Sequence, residues 1–205
     1  MSYFPMFIEL KGKPCLVVGG GRIALRKVEV LKEFGAKIQV IAPEILPEIQ
    51  RIEGVICKKK YFEQEDINHQ ELVIAATDIP EQNHQISQIC KKKKIPVNAV
   101  DQIEDCSFIF PAYIKEREVV AAFSSGGQSP VITQYLKSKM RPFLTPYLGE
   151  LAACLGTLRE NLKQCTNSEK ERKKIYQELL CLGLEHDTIP SEEEIEKIIK
   201  KYSSL

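Results

Sequence analysis

The stretch from Pro14 to Ala42 constrains the fold more than any other part of the chain. It opens with Cys15-Leu16-Val17-Val18, an apolar run of the length of a buried strand. Gly19-Gly20-Gly21 follow directly, and Arg22-Ile23-Ala24 begins an amphipathic segment in which Ala24, Val28 and Leu31 recur at helical spacing. Gly35 is placed to end that helix, and Lys37 to Ala42 reads as a second strand. The result is a β-α-β unit whose first turn reads Gly-x-Gly-x-x-Ala (Gly19, Gly21, Ala24), the dinucleotide-binding fingerprint. Gly19 permits the tight turn, Gly21 lets backbone approach a pyrophosphate, and Ala24 lets helix and strand pack closely. The helix N-terminus offers free N–H groups and partial positive charge to the phosphates. Where the fingerprint's acid is expected, about 20 residues further on, stand Ala42-Pro43, with Glu44 just beyond. No Arg lies between Ile41 and Ile49 to meet a 2′-phosphate, which favours NAD over NADP.

The pattern continues. Val55-Ile56-Cys57 reads as a third strand, and Glu71 to Ala76 as a fourth, broken by Thr77-Asp78. Pro80 to Lys94 reads as a helix with Gln82, Ile86, Ile89 and Cys90 inward, and Pro96 to Val100 as a fifth strand ending at Asp101. Strands alternating with helices argue an α/β fold, a Rossmann-type doubly wound parallel sheet. In such a sheet the carboxyl ends of the strands face the ligand, so Ala76, Thr77 and Asp78 are candidate cofactor neighbours. An Asx turn before Pro80 is the competing use for Asp78. Upstream, Tyr3 to Ile8 reads as a packed N-terminal edge segment.

After Asp101 the pattern changes. Ser107-Phe108-Ile109-Phe110 and Val119 to Phe123 are apolar runs around a charged turn and read as a hairpin. A small-residue loop, Ser124 to Pro130, follows, with Ser129 placed to cap a helix from Val131 to Met140. Another helical segment spans Pro146 to Gln164, and capping boxes at Ser168/Glu171 and Ser191/Glu194 open two more. The expected organisation is a dinucleotide-binding domain over 1–112, a dimerisation region over 113–146 and a C-terminal helical region over 147–205.

Composition narrows the partners. A formal net charge of +1 argues against nucleic acid or a membrane surface recognised through bulk charge. No apolar run approaches the ~18 residues of a membrane span and no signal-peptide pattern opens the chain, so a cytoplasmic protein is expected. The seven cysteines are scattered without a Cys-x-x-Cys pair, which reads as reduced thiols. His69, His84 and His186 share no metal-ligand spacing, and no metal site is expected.

The candidates for chemistry lie at loop positions. Asp101, at the carboxyl end of a parallel strand, is placed to take a proton as hydride leaves a substrate, or else to cap a turn. Ser124 and Ser125 lie in a glycine loop able to close over a ligand, or serve only as turn residues. Tyr135 and Lys139 match the Tyr-x-x-x-Lys of short-chain dehydrogenases, but the glycine pattern of those enzymes is missing from the first turn.

Four motifs in order carry a resemblance: Val17-Val18-Gly19-Gly20-Gly21-x-x-Ala24-x-x-Lys27, Ala75-Ala76-Thr77-Asp78 with Asn83, Asn98-x-Val100-Asp101, and Ser124-Ser125-Gly126-Gly127-x-Ser129-Pro130. Over roughly residues 3–155 the chain resembles the precorrin-2 dehydrogenase family of siroheme synthesis, found alone or as a module of siroheme synthase. The resemblance implies NAD-dependent oxidation of precorrin-2 to sirohydrochlorin, in some members iron insertion, and a homodimer formed through the hairpin and following helices. It maps the catalytic aspartate to Asp101 and a substrate-contacting serine to Ser125, beside Ser124. Cofactor contacts map to Gly19, Gly20, Gly21, Arg22 and Ile23, and to Pro43 and Glu44. A polycarboxylate substrate suits an open groove flanked by cations, for which Arg117, Lys137, Lys139 and Arg141 are candidates. The alternative of a different class is a non-catalytic NAD-binding sensor with a helical output region, which would need neither Asp101 nor the serine loop.

Overall fold

A computed structural model of the chain describes residues 3–166 and 168–202. The protein forms two compact units, the first ending at Phe110 and the second beginning at Pro111.

The first unit carries β1 (Pro14–Val18), α1 (Arg22–Glu33), β2 (Lys37–Ile41), a short α2 (Pro47–Gln50), β3 (Val55–Lys58), β4 (Leu72–Ala75), α3 (Pro80–Lys92) and β5 (Val97–Ala99). The sheet order is β3-β2-β1-β4-β5 and every pairing is parallel. Alternation along the strands divides the core. Cys15, Val17, Val40 and Ile74 pack with Ala24, Val28, Leu31 and Ile49, whereas Leu16, Val18, Val73 and Ala75 pack with Ile86 and Cys90. Both sheet faces are therefore covered, as a parallel sheet requires. Burial pushes the Cys15 and Cys90 thiols up to about 11, so both act as small core hydrophobes.

Three expectations for this unit are corrected. The segment expected to pack from Tyr3 to Ile8 is largely exposed, Phe4 by 86% and Phe7 by 72%. On α3 the buried positions are Asn83, Ile86, Ser87 and Cys90, while Gln82 is only half-buried. Ser107 to Phe110 is no hairpin strand. Ser107 lies beside β5, its N–H donating to the Val97 carbonyl (2.8 Å) and its Oγ accepting from the Val97 N–H (2.8 Å). Phe108 and Phe110 turn back onto the β1–α1–β2 core, their rings tilted with centroids 5.3 Å apart. Burial of two aromatic rings outweighs an extended pairing at this point.

The second unit begins with the antiparallel hairpin β6 (Ala112–Glu116) and β7 (Val119–Phe123), so the first hairpin strand lies further along than the apolar pattern indicates. Arg117, at φ +54°, makes its tight turn. Helices α4 (Pro130–Met140), α5 (Pro146–Thr157), α6 (Arg159–Cys165), α7 (Glu169–His186) and α8 (Glu192–Tyr202) follow. The single helix expected over Pro146 to Gln164 breaks at Leu158, whose N–H donates to Leu155 in a tighter turn (3.3 Å). Leu162, Ile175, Leu179 and Ile198 form the core of this unit. The Ser191/Glu194 box is reciprocal, but at Ser168 only half forms, because the Glu171 carboxylate takes the Thr166 hydroxyl instead. Among the described residues no helix is long and apolar enough to cross a membrane.

Candidate functional site

Parallel pairing brings the carboxyl ends of all five strands to one edge. Chain order reverses between β1 and β4, and the loops leaving these two strands flank the switch point where such sheets bind ligands. The three glycines after β1 have distinct surroundings. Gly19 sits at φ +124°, and a Cβ there would collide with the Ala76 carbonyl after β4. A Cβ on Gly20 would collide with the Glu44 carbonyl after β2, and the Gly20 carbonyl accepts from the Leu46 N–H (2.9 Å). Gly21 has φ −89° and nothing within 4 Å of where a Cβ would stand. Gly19 and Gly20 thus weld three loops together, while Gly21 faces open space.

Gly21 is the N-cap of α1 and supplies no side-chain acceptor. The first bond of this helix runs from the Leu25 N–H to the Gly21 carbonyl (3.0 Å), leaving the preceding N–H groups without intrahelical partners. Arg22 and Ile23 are exposed at this end, and the first turn holds no acid. Pro43 and Glu44 are exposed beyond β2. Free N–H groups, an unblocked approach at Gly21 and a carboxylate after the second strand are a donor and acceptor set that fits a dinucleotide.

The β4–α3 loop is organised by Thr77 and Asn83. The Ile79 N–H donates to Thr77 Oγ1 (3.2 Å), so Thr77, not Asp78, closes the turn, and Asp78 stays exposed. Asn83 Oδ1 accepts from the Thr77 N–H (3.1 Å) and its Nδ2 donates to the Thr77 carbonyl (3.0 Å). In the sequence Asn83 is marked only as a polar residue in register with the buried stripe of Ile86 and Cys90.

Asp101 follows β5 with φ +61°, and the Val100 N–H donates to the Ala75 carbonyl (2.9 Å). The Asp101 side chain is exposed and takes no hydrogen bond from any described residue, so it caps no turn. The turn is held instead by Cys106, whose thiol donates to the carbonyls of Ala99 (3.2 Å) and Gln102 (3.3 Å) and accepts from Asn98 Nδ2 (3.4 Å). Burial pushes the Cys106 thiol up and keeps it a donor. Burial also lowers the half-buried Lys27 amine, which stands 3.6 Å from the Phe110 ring centroid. His84 Nδ1 lies 2.7 Å from the buried Asp105 carboxylate, and Ser87 Oγ donates to the Asp105 carbonyl (2.6 Å), fastening α3 to this segment.

In the second unit the serine loop is self-supporting. Ser125 Oγ accepts from the Ser129 N–H (2.9 Å) and donates to the Ser129 carbonyl (3.1 Å), while Ser124 Oγ accepts from the Gly126 N–H (3.0 Å). Gly126 and Gly127 adopt φ of +65° and +84°, and Ser129 Oγ caps α4 through the Ile132 N–H (3.4 Å). Of the candidate flanking cations, Arg117 pairs with Glu150 (3.0 Å) and Arg141 with Glu116, whereas Lys137 and Lys139 lie over the rings of Tyr113 and Tyr135. Among the described residues no group of three or more His, Cys, Asp or Glu could hold a metal.

The switch-point crevice, the welded glycine turn and the open helix terminus define a Rossmann-type dinucleotide-binding protein. The chain belongs to the family described as "Putative NAD(P)-binding", whose model matches residues 6–112. Among curated relatives it is 38% identical over 183 residues to a siroheme synthase of Thioalkalivibrio sulfidiphilus, covering 88% of this chain and 37% of that protein. It is 39% identical over 181 residues to a siroheme synthase of Photorhabdus laumondii, covering 87% and 38%. The chain thus spans less than two fifths of these relatives' length. A solved structure described as SirC, precorrin-2 dehydrogenase, shares the fold with a TM-score of 0.70 at 24% identity, covering 98% of this chain and all of that one.

Proposed function

We propose that the protein acts in siroheme biosynthesis as an NAD-dependent precorrin-2 dehydrogenase, cytoplasmic and homodimeric. The observation that carries this reading is the carboxyl edge of the sheet. There the loops after β1, β2 and β4 are locked around an open helix terminus, and β5 leads into an exposed carboxylate at Asp101 that no described residue engages. Similarity to siroheme synthases supports the tetrapyrrole substrate.

The first N–H groups of α1, with Arg22 and Ile23, hold the pyrophosphate, and Glu44 beside Pro43 accepts hydrogen bonds from a ribose. Ala76, Thr77 and Asp78 border the same crevice. When bound, NAD⁺ supplies the acceptor for the hydride removed from precorrin-2. Asp101 takes the proton released as that hydride departs, so that two hydrogens leave the substrate, one as hydride and one as proton. No described residue donates a hydrogen bond to it, which leaves both carboxylate oxygens available. Ser125 and Ser124 contact the substrate by way of the loop that they themselves brace.

Mixing the protein with precorrin-2 and NAD⁺ is expected to yield NADH and sirohydrochlorin in equal amounts. NAD binding without NADH formation would overturn the dehydrogenase and leave a dinucleotide sensor. A parallel assay with sirohydrochlorin and Fe²⁺ measures metal insertion.

A further inference from the structure

Beyond Ala76 the chain leaves the sheet, and Thr77 has no strand beside it to pair with. Asn83, in the first turns of α3, takes that strand's place. It is only 3% exposed, with Oδ1 3.1 Å from the Thr77 N–H nitrogen and Nδ2 3.0 Å from the Thr77 carbonyl oxygen. The Thr77 hydroxyl also lies 2.8 Å from Oδ1. A carboxamide is the side chain suited to this task, because it offers donor and acceptor side by side. Aspartate lacks the donor, and an apolar residue would leave two half-buried backbone groups without this partner.

The consequence extends past the loop. Gly19 is pressed against the Ala76 carbonyl, so the position of Ala76–Thr77 sets the position of the glycine turn. A loop free to drift would narrow the crevice on one side and relax the turn on the other. We infer that Asn83 is a positioning residue for the dinucleotide, holding the Ala76–Asp78 loop and through it the Gly19–Gly21 turn in the geometry that receives the cofactor. This rests on the dinucleotide site proposed above and adds to it a residue that makes no contact with the cofactor itself.

The test compares the full chain with Asn83→Ala and Asn83→Asp, using calorimetry with NAD⁺, melting curves and hydrogen exchange at the Thr77 amide. Loss of both part-buried backbone hydrogen bonds to the loop, with the Thr77 hydroxyl contact, is expected to raise the NAD⁺ dissociation constant about tenfold or more in Asn83→Ala. Exchange at Thr77 is expected to quicken, and in turnover assays KM for NAD⁺ to rise with kcat at saturating NAD⁺ retained. Asn83→Asp, which keeps one bond, is expected to fall between the other two. A folded Asn83→Ala with wild-type NAD⁺ affinity overturns the inference. If that variant does not fold, the affinity of Asn83→Asp decides by the same criterion. Failure of both to fold assigns Asn83 to the core and overturns it too. Wild-type protein that binds no NAD⁺ removes the dinucleotide site itself, whereas binding without turnover removes only the reaction and leaves the Asn83 comparison intact.

Discussion

The three adjacent glycines make opposite demands, and single substitutions separate them. At Gly19 a side chain meets both a left-handed φ of +124° and a backbone carbonyl, and at Gly20 it meets the Glu44 carbonyl. Gly19→Val and Gly20→Val are therefore expected to lower the melting temperature sharply. Gly21→Val has an ordinary φ and room for its Cβ, so its stability is expected to change by no more than about 1 kcal/mol. Calorimetry on the folded Gly21→Val protein is expected to find NAD binding abolished, since the branched side chain fills the approach to the α1 N–H groups. Unchanged affinity there would remove the phosphate site from the turn. Asp101 is a second test at this scale. Asparagine tolerates its left-handed φ of +61°, and no hydrogen bond to the carboxylate is lost. Asp101→Asn is thus expected to stay within about 0.5 kcal/mol of wild-type stability. NAD binding should be kept, and precorrin-2 oxidation should slow roughly 10²–10⁴-fold. Full turnover in this variant would strike Asp101 from the mechanism.

Single helices show the same dependence on what lies opposite a residue. Gly149 and Gly156 both belong to α5, yet a Cβ on Gly149 would stand 2.6 Å from the Glu116 carbonyl of β6, and one on Gly156 would meet nothing within 4 Å. Gly149→Ala is expected to cost about 1–3 kcal/mol by forcing helix and hairpin apart. Gly156→Ala is expected to gain about 0.5–1 kcal/mol from helix propensity, with opposite shifts in melting temperature as the check. The α7–α8 pair adds a pH dependence. Hydrogen bonds from Lys201 and Tyr202 hold the Glu178 carboxyl below its ordinary range. A carboxylate lowered in the folded state stabilises above its unfolded pKa, and that contribution is lost as pH falls through the folded value. The protection of the α8 amides, taken as the exchange rate relative to the intrinsic rate at each pH, is therefore expected to fall on acidification, and Glu178→Gln to lack that part of the response.

At the scale of the whole molecule, α4 has no buried residue, and Val131 is 77% exposed, Tyr135 58% and Phe143, just beyond the helix, 71%. Exposed apolar side chains gathered along one helix are a mark of an interaction surface. A second copy of the chain is the occupant implied by the resemblance to precorrin-2 dehydrogenases. Light scattering is expected to give roughly twice the 23.3 kDa chain mass. Val131→Glu with Tyr135→Glu is expected to yield a folded monomer; a wild-type monomer at micromolar concentration would dismiss the dimer.

The amino-acid sequence by itself determined the β-α-β opening, the alternation that makes a parallel sheet, the Ser129 and Ser191 caps, and which loops carry candidate chemistry. These are legible because each is encoded within a few residues: apolar period, a glycine after a strand, a capping side chain before a helix. Only the tertiary structure decided the rest, because it turns on partners far apart in the chain. Local pattern could not tell that Gly19 is pressed on Ala76 and Gly20 on Glu44, or that Gly21 alone is left open. It placed the first hairpin strand at Ser107–Phe110, where two phenylalanines prefer the core formed by β1, α1 and β2, and it expected Tyr3–Ile8 to pack, whereas Phe4 to Ile8 are exposed. Helical period favoured Gln82 as inward; the Thr77 backbone, without a neighbouring strand, makes Asn83 the buried residue, because a polar side chain enters a core only where waiting hydrogen-bond partners offset its loss of water.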